Sequence, residues 1–411
     1  MKRIAVLALL LAFVAAPAAA GAASRGCEEM RQRLVRGGGG ASGLLVVDAE
    51  TGRVVCGRAG GQRRTLASNM KLFTTAAALA RLGPRHRIET TLLAERAPGR
   101  DGILRGNLYL RGGGDPALGS PAFLDRFRSG VGTNLFALRR GLRRAGVRRV
   151  TGRLLADDSV FDRLRGVPDS GYATSPWIGP LSGLSFNSGY STSRGGGFAS
   201  DPALLAVAKL ADSLRKGGMA VRSGIALAAT PAGAEPLATV RSPTIAELAG
   251  TTNVYSNNFY AEMLLKLLGA RFGGAGSTRA GGAVVERFAR GRGSGVRAAD
   301  GSGLTRSNRA SPLQVVRLLR SMRSERLADP FIQSLALTGR SGTVATRTRG
   351  SAAEGRCRVK TGTLTGVSAL SGYCFNRSGR TMAFSILMTS VSSLYRAHRE
   401  QDRIAASIAR Y

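Results

Sequence analysis

The chain has 411 residues, enough for two or three domains with a large buried core. Its net charge is +35, carried almost wholly by arginine, since lysine occurs only six times. The arginines are scattered and aromatic residues make up 6% of the chain, which argues against a nucleic-acid-binding face. The charge either attracts an anionic polymer or lipid of the cell envelope or reflects a compositional preference for arginine, and the sequence leaves both open.

Residues 1–23 are predicted to be a signal peptide. The basic start MKR precedes an apolar run that is short for a membrane span and ends in small residues typical of a cleavage site. The mature protein is therefore expected to be exported to the periplasm or another extracytoplasmic compartment.

The four cysteines of an exported chain suggest two disulfides, for which three pairings exist. We favour Cys27 with Cys56, since both lie near the N-terminus. We favour Cys357 with Cys374 because their spacing suits two neighbouring antiparallel strands. A metal site is not expected, since neither the cysteine spacing nor the histidines support one.

Hydrophobic periodicity and breaks at glycine, proline and aspartate divide the chain into predicted elements. In chain order these are a β-hairpin over 42–56, an alanine-rich helix over 68–82, a β-rich segment over 87–189 with one basic helix at 136–145, an amphipathic helix over 201–216, helices over 245–270, 280–290 and 311–323, strands over 358–363, 369–375 and 381–390, and a last helix over 395–409. The β-rich segment is predicted to be an insertion within a split catalytic unit.

The motif Ser68-x-x-Lys71 opens the alanine-rich helix. A spacing of three places the hydroxyl and the amine on one helical face, within reach of each other. Free N–H groups at the helix N-terminus stabilise negative charge that develops near Ser68. Lys71 accepts a proton only when neutral, a state that burial and a second cation favour. The two histidines, His86 and His398, lie in arginine-rich polar stretches, so lysine is the better candidate for the base.

A second motif, Ser256-x-Asn258, precedes the helical run FYAEMLLKLLG. Both short patterns recur elsewhere in the chain. The match at Ser213–Lys216 is interpreted as a solvated helix end with a cationic C-terminus. The match at Ser185–Asn187 does not precede a comparable helical run. The Ser256 copy is preferred because it precedes the helical run and lies between the other two motifs in chain order.

The third motif, Lys360-Thr361-Gly362, is the only KTG of the chain and lies in a strand pattern. Glycine at 362 would let a substrate backbone lie beside the strand. Lys360, Thr361 and Thr363 would then hold a substrate carboxylate. The glycine-rich segments elsewhere lack the strand-to-helix context of a nucleotide site, so no cofactor is expected.

These motifs together resemble the penicillin-binding proteins. They are most similar to the D-alanyl-D-alanine carboxypeptidase/endopeptidase family of low-molecular-mass class C, peptidase family S13. The likeness covers most of the mature chain, in the segments LASNMKLFTTAAAL, LYLRGGGDPAL, DDSVF, TNVYSNNFYAEMLL, DGSGLTR and VKTGTLTGVSALSGY.

The resemblance implies a role for each motif residue. The activity implied is that of a serine hydrolase that forms an acyl-enzyme with peptidoglycan stem peptides and is inhibited covalently by β-lactams. The roles implied are Ser68 as nucleophile, Lys71 as base, Ser256 as proton relay to the leaving D-alanine or amine, Asn258 as a ligand of the substrate amide, Lys360 and Thr361 as electrostatic and carboxylate contacts, and the N–H groups of Ser68 and Thr363 as the oxyanion hole.

The fold implied is α+β and serine β-lactamase/transpeptidase-like, with a five-stranded antiparallel sheet flanked by helices and an inserted β-rich domain. The expected catalytic domain is discontinuous, over 24–88 and 201–411, with the insertion over 89–200. Many relatives carry a further small β domain after the segment that reads LSGLSFNSGY here. This chain has only STSRGGGFAS at that point, so the second insertion is expected to be absent.

Two other functions share some of these features. A serine β-lactamase would use the same motifs, but no E-x-x-L-N segment is present to supply a deacylating glutamate. A non-catalytic module that binds peptidoglycan or β-lactams would not need all of the motif residues intact. The sequence therefore favours a serine D-Ala-D-Ala carboxypeptidase or endopeptidase and leaves open the balance between these two activities.

Overall fold

The computed structural model describes residues 17–128, 131–222, 224–323 and 326–411. Most of the predicted signal peptide, residues 1–16, lies outside the described residues. The α-helices described are α1 (Pro17–Gly38), α2 (Met70–Leu82), α3 (Pro121–Arg128), α4 (Leu138–Arg144), α5 (Pro202–Lys216), α6 (Ile245–Val254), α7 (Asn258–Phe272), α8 (Thr278–Arg290), α9 (Pro312–Arg323), α10 (Ala328–Gln333) and α11 (Leu394–Arg410).

The strands described range from two to ten residues in length. They are β1 (Gly43–Asp48), β2 (Val54–Arg58), β3 (Arg64–Thr65), β4 (Arg87–Ala94), β5 (Ile103–Leu104), β6 (Leu108–Gly112), β7 (Leu118–Gly119), β8 (Thr133–Asn134), β9 (Arg149–Val150), β10 (Leu154–Asp157), β11 (Ala220–Val221), β12 (Ile225–Leu227), β13 (Glu235–Thr244), β14 (Arg309–Ala310), β15 (Ala336–Leu337), β16 (Cys357–Leu364), β17 (Val367–Phe375) and β18 (Thr381–Thr389).

The main sheet joins the two ends of the chain. Its strand order is β15-β16-β17-β18-β1-β2, and each neighbouring pair is antiparallel. Five of these strands are the long ones expected from the sequence. The sixth, β15, has two residues, too few to produce an alternating pattern that sequence analysis detects.

Both faces of the main sheet are buried, which explains its nearly continuous apolar strands. Along β1, Leu45 and Val47 belong to one core, whereas Leu44 and Val46 belong to the other, as the two-residue period of a strand requires. The first core includes side chains of α2 and α6 to α10. The second is covered by α1 and α11.

Helix α1 continues through Gly37 and Gly38, the first two residues of the run GGGG. A Cβ atom on Gly38 would lie 2.4 Å from Met388 Cβ and 2.6 Å from Ser42 Oγ. These glycines therefore let the end of α1 approach the main sheet closely.

A second sheet has the order β12-β10-β6-β4-β13 and mixes parallel and antiparallel pairs. One face packs on α4 and α5 around a third core, which contains Leu110, Leu142 and Leu210. Residues 202–244 thus supply a helix and two strands to this unit. The domain boundary predicted at residue 200 therefore falls inside this unit. The composition changes where α5 begins, but strands β12 and β13, which complete the sheet, follow later in the chain.

Two disulfides join elements of the main sheet region. Cys27–Cys56 links α1 to β2, and Cys357–Cys374 links directly opposed positions of β16 and β17. These are the favoured pairings. Within the described residues, no helix is long and apolar enough to cross a membrane, and no cluster of three or more potential metal ligands is found.

Replacing both Cys357 and Cys374 with alanine is expected to lower the free energy of unfolding by about 3 kcal/mol, because the bridge restrains a short loop of the unfolded chain. The residues are 17 apart in sequence. Urea unfolding of the double variant and the wild type measures the difference. The Cys27/Cys56 double variant provides the comparison, since its longer loop predicts at least an equal loss. An unchanged unfolding free energy in both variants would contradict the expectation.

Candidate active site

Ser68 lies in a 3₁₀ turn, Ala67–Asn69, that leads directly into α2. Lys71 follows in the first turn of α2 and is fully buried. Its Nζ donates to Ser68 Oγ at 2.9 Å. The three-residue spacing thus brings the amine and the hydroxyl into direct contact, in the geometry that a serine nucleophile and its base require.

Two further oxygen atoms accept hydrogen bonds from Lys71 Nζ. One is Asn258 Oδ1 at 2.7 Å, and the other is the Ser302 carbonyl oxygen at 2.6 Å. A lysine ammonium has three N–H donors, and all three are used here. When the amine is neutral, these two acceptors can hold its two N–H groups while its lone pair points to Ser68 Oγ.

Ser256 lies between two helices within the helical region predicted over 245–270. Helix α6 ends at Val254 and α7 starts at Asn258, and Ser256 has a positive φ of 55°. Asn257 caps α7 by accepting from the Tyr260 N–H at 3.0 Å. The break turns Ser256 Oγ toward Lys360 Nζ, which donates to it at 2.9 Å.

Strand β16 carries the KTG motif beside the Ser68 turn. Asn69 Nδ2 donates to the Lys360 carbonyl at 3.1 Å and so ties the two segments together. A Cβ atom on Gly362 would lie 3.0 Å from the Leu66 carbonyl oxygen and 3.1 Å from the Ser68 nitrogen. Glycine therefore permits the close approach of strand and turn.

The threonines of the KTG segment are more accessible than its lysine. Lys360 is fully buried, Thr361 is partly exposed and Thr363 is exposed. Thr361 Oγ1 bonds to Thr343 Oγ1 at 2.8 Å. The strand therefore presents hydroxyl groups toward solvent next to the buried amine of Lys360.

Burial controls the protonation of both lysines. Desolvation lowers the pKa of Lys71 to about 7, and the negative charges of Asp300 and Glu262 oppose that shift. Desolvation, with a smaller effect from Lys71, also holds the pKa of Lys360 well below its usual value. A neutral amine is thus accessible next to Ser68 near neutral pH.

Three residues that complete the surroundings of Lys71 were not among those predicted from the sequence. Glu262 and Asp300 are buried carboxyl groups, and Ser302 supplies the carbonyl oxygen. A lone acid inside the apolar run FYAEMLLKLLG was the available signal for Glu262. The DGSG segment belonged to the resemblance, but nothing in its sequence indicated that a backbone carbonyl would face Lys71.

The duplicate motifs lie elsewhere. Lys216 is exposed at the end of α5, as expected for a solvated helix terminus. Asn187 uses its amide oxygen to accept from the Ser120 N–H at 2.9 Å. Asn258, in contrast, contacts Lys71 and also donates through Nδ2 to the Trp177 carbonyl at 3.0 Å.

Comparison with known proteins agrees with the motifs and the fold. The sequence profile of the D-Ala-D-Ala carboxypeptidase 3 (S13) family matches residues 30–194 and 195–410. The D-alanyl-D-alanine carboxypeptidase of Actinomadura sp. (strain R39) is 34% identical, across 91% of this chain and 82% of that protein. Carboxypeptidase DacB of Mycolicibacterium smegmatis is 29% identical, across 83% of this chain and 75% of that protein.

Among solved structures, penicillin binding protein 4 from Haemophilus influenzae matches with a TM-score of 0.76 at 20% identity, over 94% of this chain and 99% of that one. At this sequence identity the match supports a conclusion about the fold only. It confirms the predicted fold class, a transpeptidase-like α+β protein.

The reaction of Ser68 with benzylpenicillin is expected to slow as pH falls below about 7. The pKa of Lys71 is lowered to about 7, so the neutral base is present above that pH and is lost below it, by about tenfold per pH unit. Intact mass spectrometry of the adduct from about pH 5 to pH 9 gives the rate constant. A rate that is independent of pH over this range would contradict Lys71 as the base.

Proposed function

This chain belongs to the D-Ala-D-Ala carboxypeptidase 3 (S13) family and is a serine-type carboxypeptidase, and from this premise we propose that it cleaves peptidoglycan stem peptides through an acyl-enzyme on Ser68. The observation that carries the proposal is the contact of Lys71 Nζ with Ser68 Oγ at 2.9 Å. The reaction class follows from that pair, since a neutral lysine beside a serine can activate it for acyl transfer.

Acylation starts with proton transfer. Lys71 takes the proton of Ser68 Oγ, and Oγ bonds to the carbonyl carbon of the penultimate D-alanine. The backbone N–H groups of Ser68 and Thr363 are proposed to stabilise the oxyanion that forms. The absence of a side chain at Gly362 supports this assignment, because strand β16 and the Ser68 turn approach closely there.

Departure of the leaving group requires a proton. Ser256 Oγ is proposed to donate it to the nitrogen of the terminal D-alanine as the C–N bond breaks, and Lys360 Nζ, bonded to that oxygen, replaces it. Water then attacks the carbonyl carbon of the ester, and one of its protons passes through Ser256 Oγ to Lys360 Nζ. As the ester bond breaks, Lys71 Nζ returns its proton to Ser68 Oγ. In the endopeptidase reaction, the leaving group is the amine of a cross-linking residue.

Substrate binding is assigned to the remaining motif residues. Asn258 is proposed to bind the substrate amide while its Oδ1 holds Lys71. Lys360, Thr361 and Thr363 are proposed to hold the terminal carboxylate, because the threonine hydroxyls lie at the accessible edge of the strand and the lysine supplies positive charge behind them. β-Lactams are proposed to acylate the same serine as covalent inhibitors.

Ser68→Ala is expected to abolish both the release of D-alanine from a muramyl pentapeptide and the covalent adduct with benzylpenicillin, because no nucleophile remains. Ser213→Ala, in the duplicate S-x-x-K motif, is the matched control and should keep both. Peptide mapping locates the adduct. Turnover or adduct formation that persists in Ser68→Ala would contradict the assignment of Ser68 as the nucleophile. In the wild type, rapid loss of the adduct with consumption of the drug would favour the β-lactamase alternative.

A single insertion is proposed for the chain. The second sheet and the smaller sheets β5-β9-β11 and β7-β8 all come from residues 87–244. The family profile divides at 194 and 195, in the short connection where a further domain is expected to be absent. The alignment with the Actinomadura enzyme extends over 455 positions, more than the 411 residues of this chain, which supports the loss of a segment.

Export to an extracytoplasmic compartment and contact with an anionic envelope surface are also proposed. Two disulfides support the first. For contact with an anionic surface, we define the α1–α11 basic surface by residues that line one surface pocket: Arg36, Tyr395, Arg396, Arg399 and Arg403. Arg36 and Arg403 pair with Glu400, and Arg399 lies over the Tyr395 ring. The surface therefore combines excess positive charge with an exposed aromatic residue, which suits an anionic membrane.

Replacing Arg396 and Arg399 with serine is expected to weaken binding to phosphatidylglycerol vesicles about 30-fold at low salt, from roughly 1 kcal/mol per arginine. Co-sedimentation measures the binding. The control replaces Arg149 and Arg222, two exposed arginines beside another hollow. An equal loss in both variants would mean that total charge, and not this surface, determines the binding.

A further inference from the structure

Glu262 is a buried acid behind the catalytic lysine. It lies on α7 one turn after Asn258, so the two side chains point to the same side of the helix. Its Oε1 accepts from the N–H groups of Gly301 at 3.0 Å and Ser302 at 2.7 Å. Its Oε2 accepts from the Gly301 N–H at 3.1 Å. The carboxyl group thus holds the peptide groups next to the Ser302 carbonyl.

The segment held by Glu262 is fixed on its other side by α2. The Gly301 carbonyl accepts from Thr74 Oγ1 at 2.9 Å, and the Ser302 carbonyl accepts from Lys71 Nζ at 2.6 Å. Gly301 has no room for a side chain, since a Cβ atom would lie 2.6 Å from the Ala261 carbonyl oxygen. The 300–305 segment therefore packs between α7 and α2 and forms hydrogen bonds with both helices.

Asp300 fixes the rest of this segment. Its oxygens accept from the N–H groups of Gly303 at 2.7 Å and Thr305 at 2.6 Å, and from Asn308 Nδ2 at 2.7 Å. These bonds determine the turn but do not reach the peptide groups of Gly301 and Ser302. The two carboxyl groups therefore hold different parts of the segment.

The position of the Ser302 carbonyl determines where the Lys71 lone pair points. A neutral amine has two N–H groups, and Asn258 Oδ1 and the Ser302 oxygen accept both. Only the direction of Ser68 Oγ then remains for the lone pair. Displacing the Ser302 carbonyl would free one N–H group and let the amine rotate away from Ser68.

We propose that Glu262 is a positioning residue for Lys71: by holding the Gly301 and Ser302 N–H groups, it keeps the Ser302 carbonyl on Nζ and the lone pair of the base on Ser68. The inference rests on the proposed roles of Ser68 and Lys71 and adds a residue that does not touch the substrate. Its effect therefore falls on the acylation step.

The charge of Glu262 acts on the same amine. Four buried titratable groups surround this point: Lys71 on α2, Glu262 on α7, Asp300 on the connecting segment and Lys360 on β16. Lys266, one turn along α7, is paired with Asp162. Burial and the neighbouring Asp300 raise the pKa of Glu262 to about 8. Glu262 and Lys71 therefore titrate in the same range, and removing the acid should lower the pKa of Lys71.

Two substitutions separate position from charge. Glu262→Asp keeps the charge but withdraws the carboxyl group by about 1.5 Å, the length of one carbon–carbon bond. Glu262→Gln loses the charge but keeps an oxygen for the two Oε1 bonds. Glu286→Asp is the matched control, since Glu286 Oε1 also holds a backbone N–H of the following segment, that of Ala298 at 2.9 Å, without contacting Lys71.

In Glu262→Asp, the acylation rate constant with benzylpenicillin is expected to fall roughly 100-fold, as for a misplaced catalytic group, while the noncovalent dissociation constant stays near the wild-type value. In Glu262→Gln, the rate at the optimum should stay within about tenfold of the wild type, and the acidic limb of its pH profile should move to lower pH. Glu286→Asp should change neither quantity. Thermal unfolding identifies the variants that fold.

The outcomes distinguish this inference from the proposed function. If the wild type forms no adduct on Ser68, the proposed function fails. If the wild type reacts and folded Glu262→Asp reacts at the same rate, or loses no more than Glu286→Asp, the positioning role is overturned. If Glu262→Asp does not fold, folded Glu262→Gln decides: a fall of the acylation rate well beyond about tenfold at the optimum, although the Oε1 bonds are kept, overturns the positioning role.

Discussion

The burial of one amine is the constraint on which the active site depends. Lys71 is fully enclosed, and its Nζ atom bonds to a serine hydroxyl, an amide oxygen and a backbone carbonyl. Removing a charged amine from water is costly, so burial moves its pKa toward neutrality, while the oxygen acceptors and nearby carboxyl groups limit the shift. A base near neutral pH is the product of these opposing effects, and each of them requires a different part of the chain.

The helices and the main sheet bring these parts together. The 3₁₀ turn before α2 carries Ser68 and the first turn of α2 carries Lys71, while α7 presents Asn258 and Glu262 one turn apart. Strand β16 adds the second lysine at the Ser68 turn, and the break between α6 and α7 directs Ser256 to that lysine. The sheet is buried on both faces, so its strands have little freedom to shift. The rigidity of the site follows from this packing.

The segment between β10 and α5 also contributes to the surroundings of Asn258. The segment that leads back from the second sheet contacts the catalytic part at several points: Asp162 pairs with Lys266 of α7, and Asp169 accepts from the Arg306 N–H at 2.9 Å. The Trp177 carbonyl accepts from Asn258 Nδ2. Asn258 is thus held between Lys71 on one side and the segment between β10 and α5 on the other, so that segment helps to set the position of the Asn258 side chain.

Local features could be predicted from the sequence alone. The S-x-x-K spacing fixed the contact between Ser68 and Lys71, because the start of a helix leaves few positions for residues three apart. Strand periodicity placed the KTG motif on a strand, and the resemblance to family S13 rested on the three motifs and the sequence segments around them. Two features became visible in the tertiary structure alone. A buried acid on α7 keeps the Ser302 carbonyl within hydrogen-bond distance of Lys71, and residues 202–244 complete the second sheet. Both depend on which distant segments pack together, and neither hydrophobic period nor residue spacing carries that information.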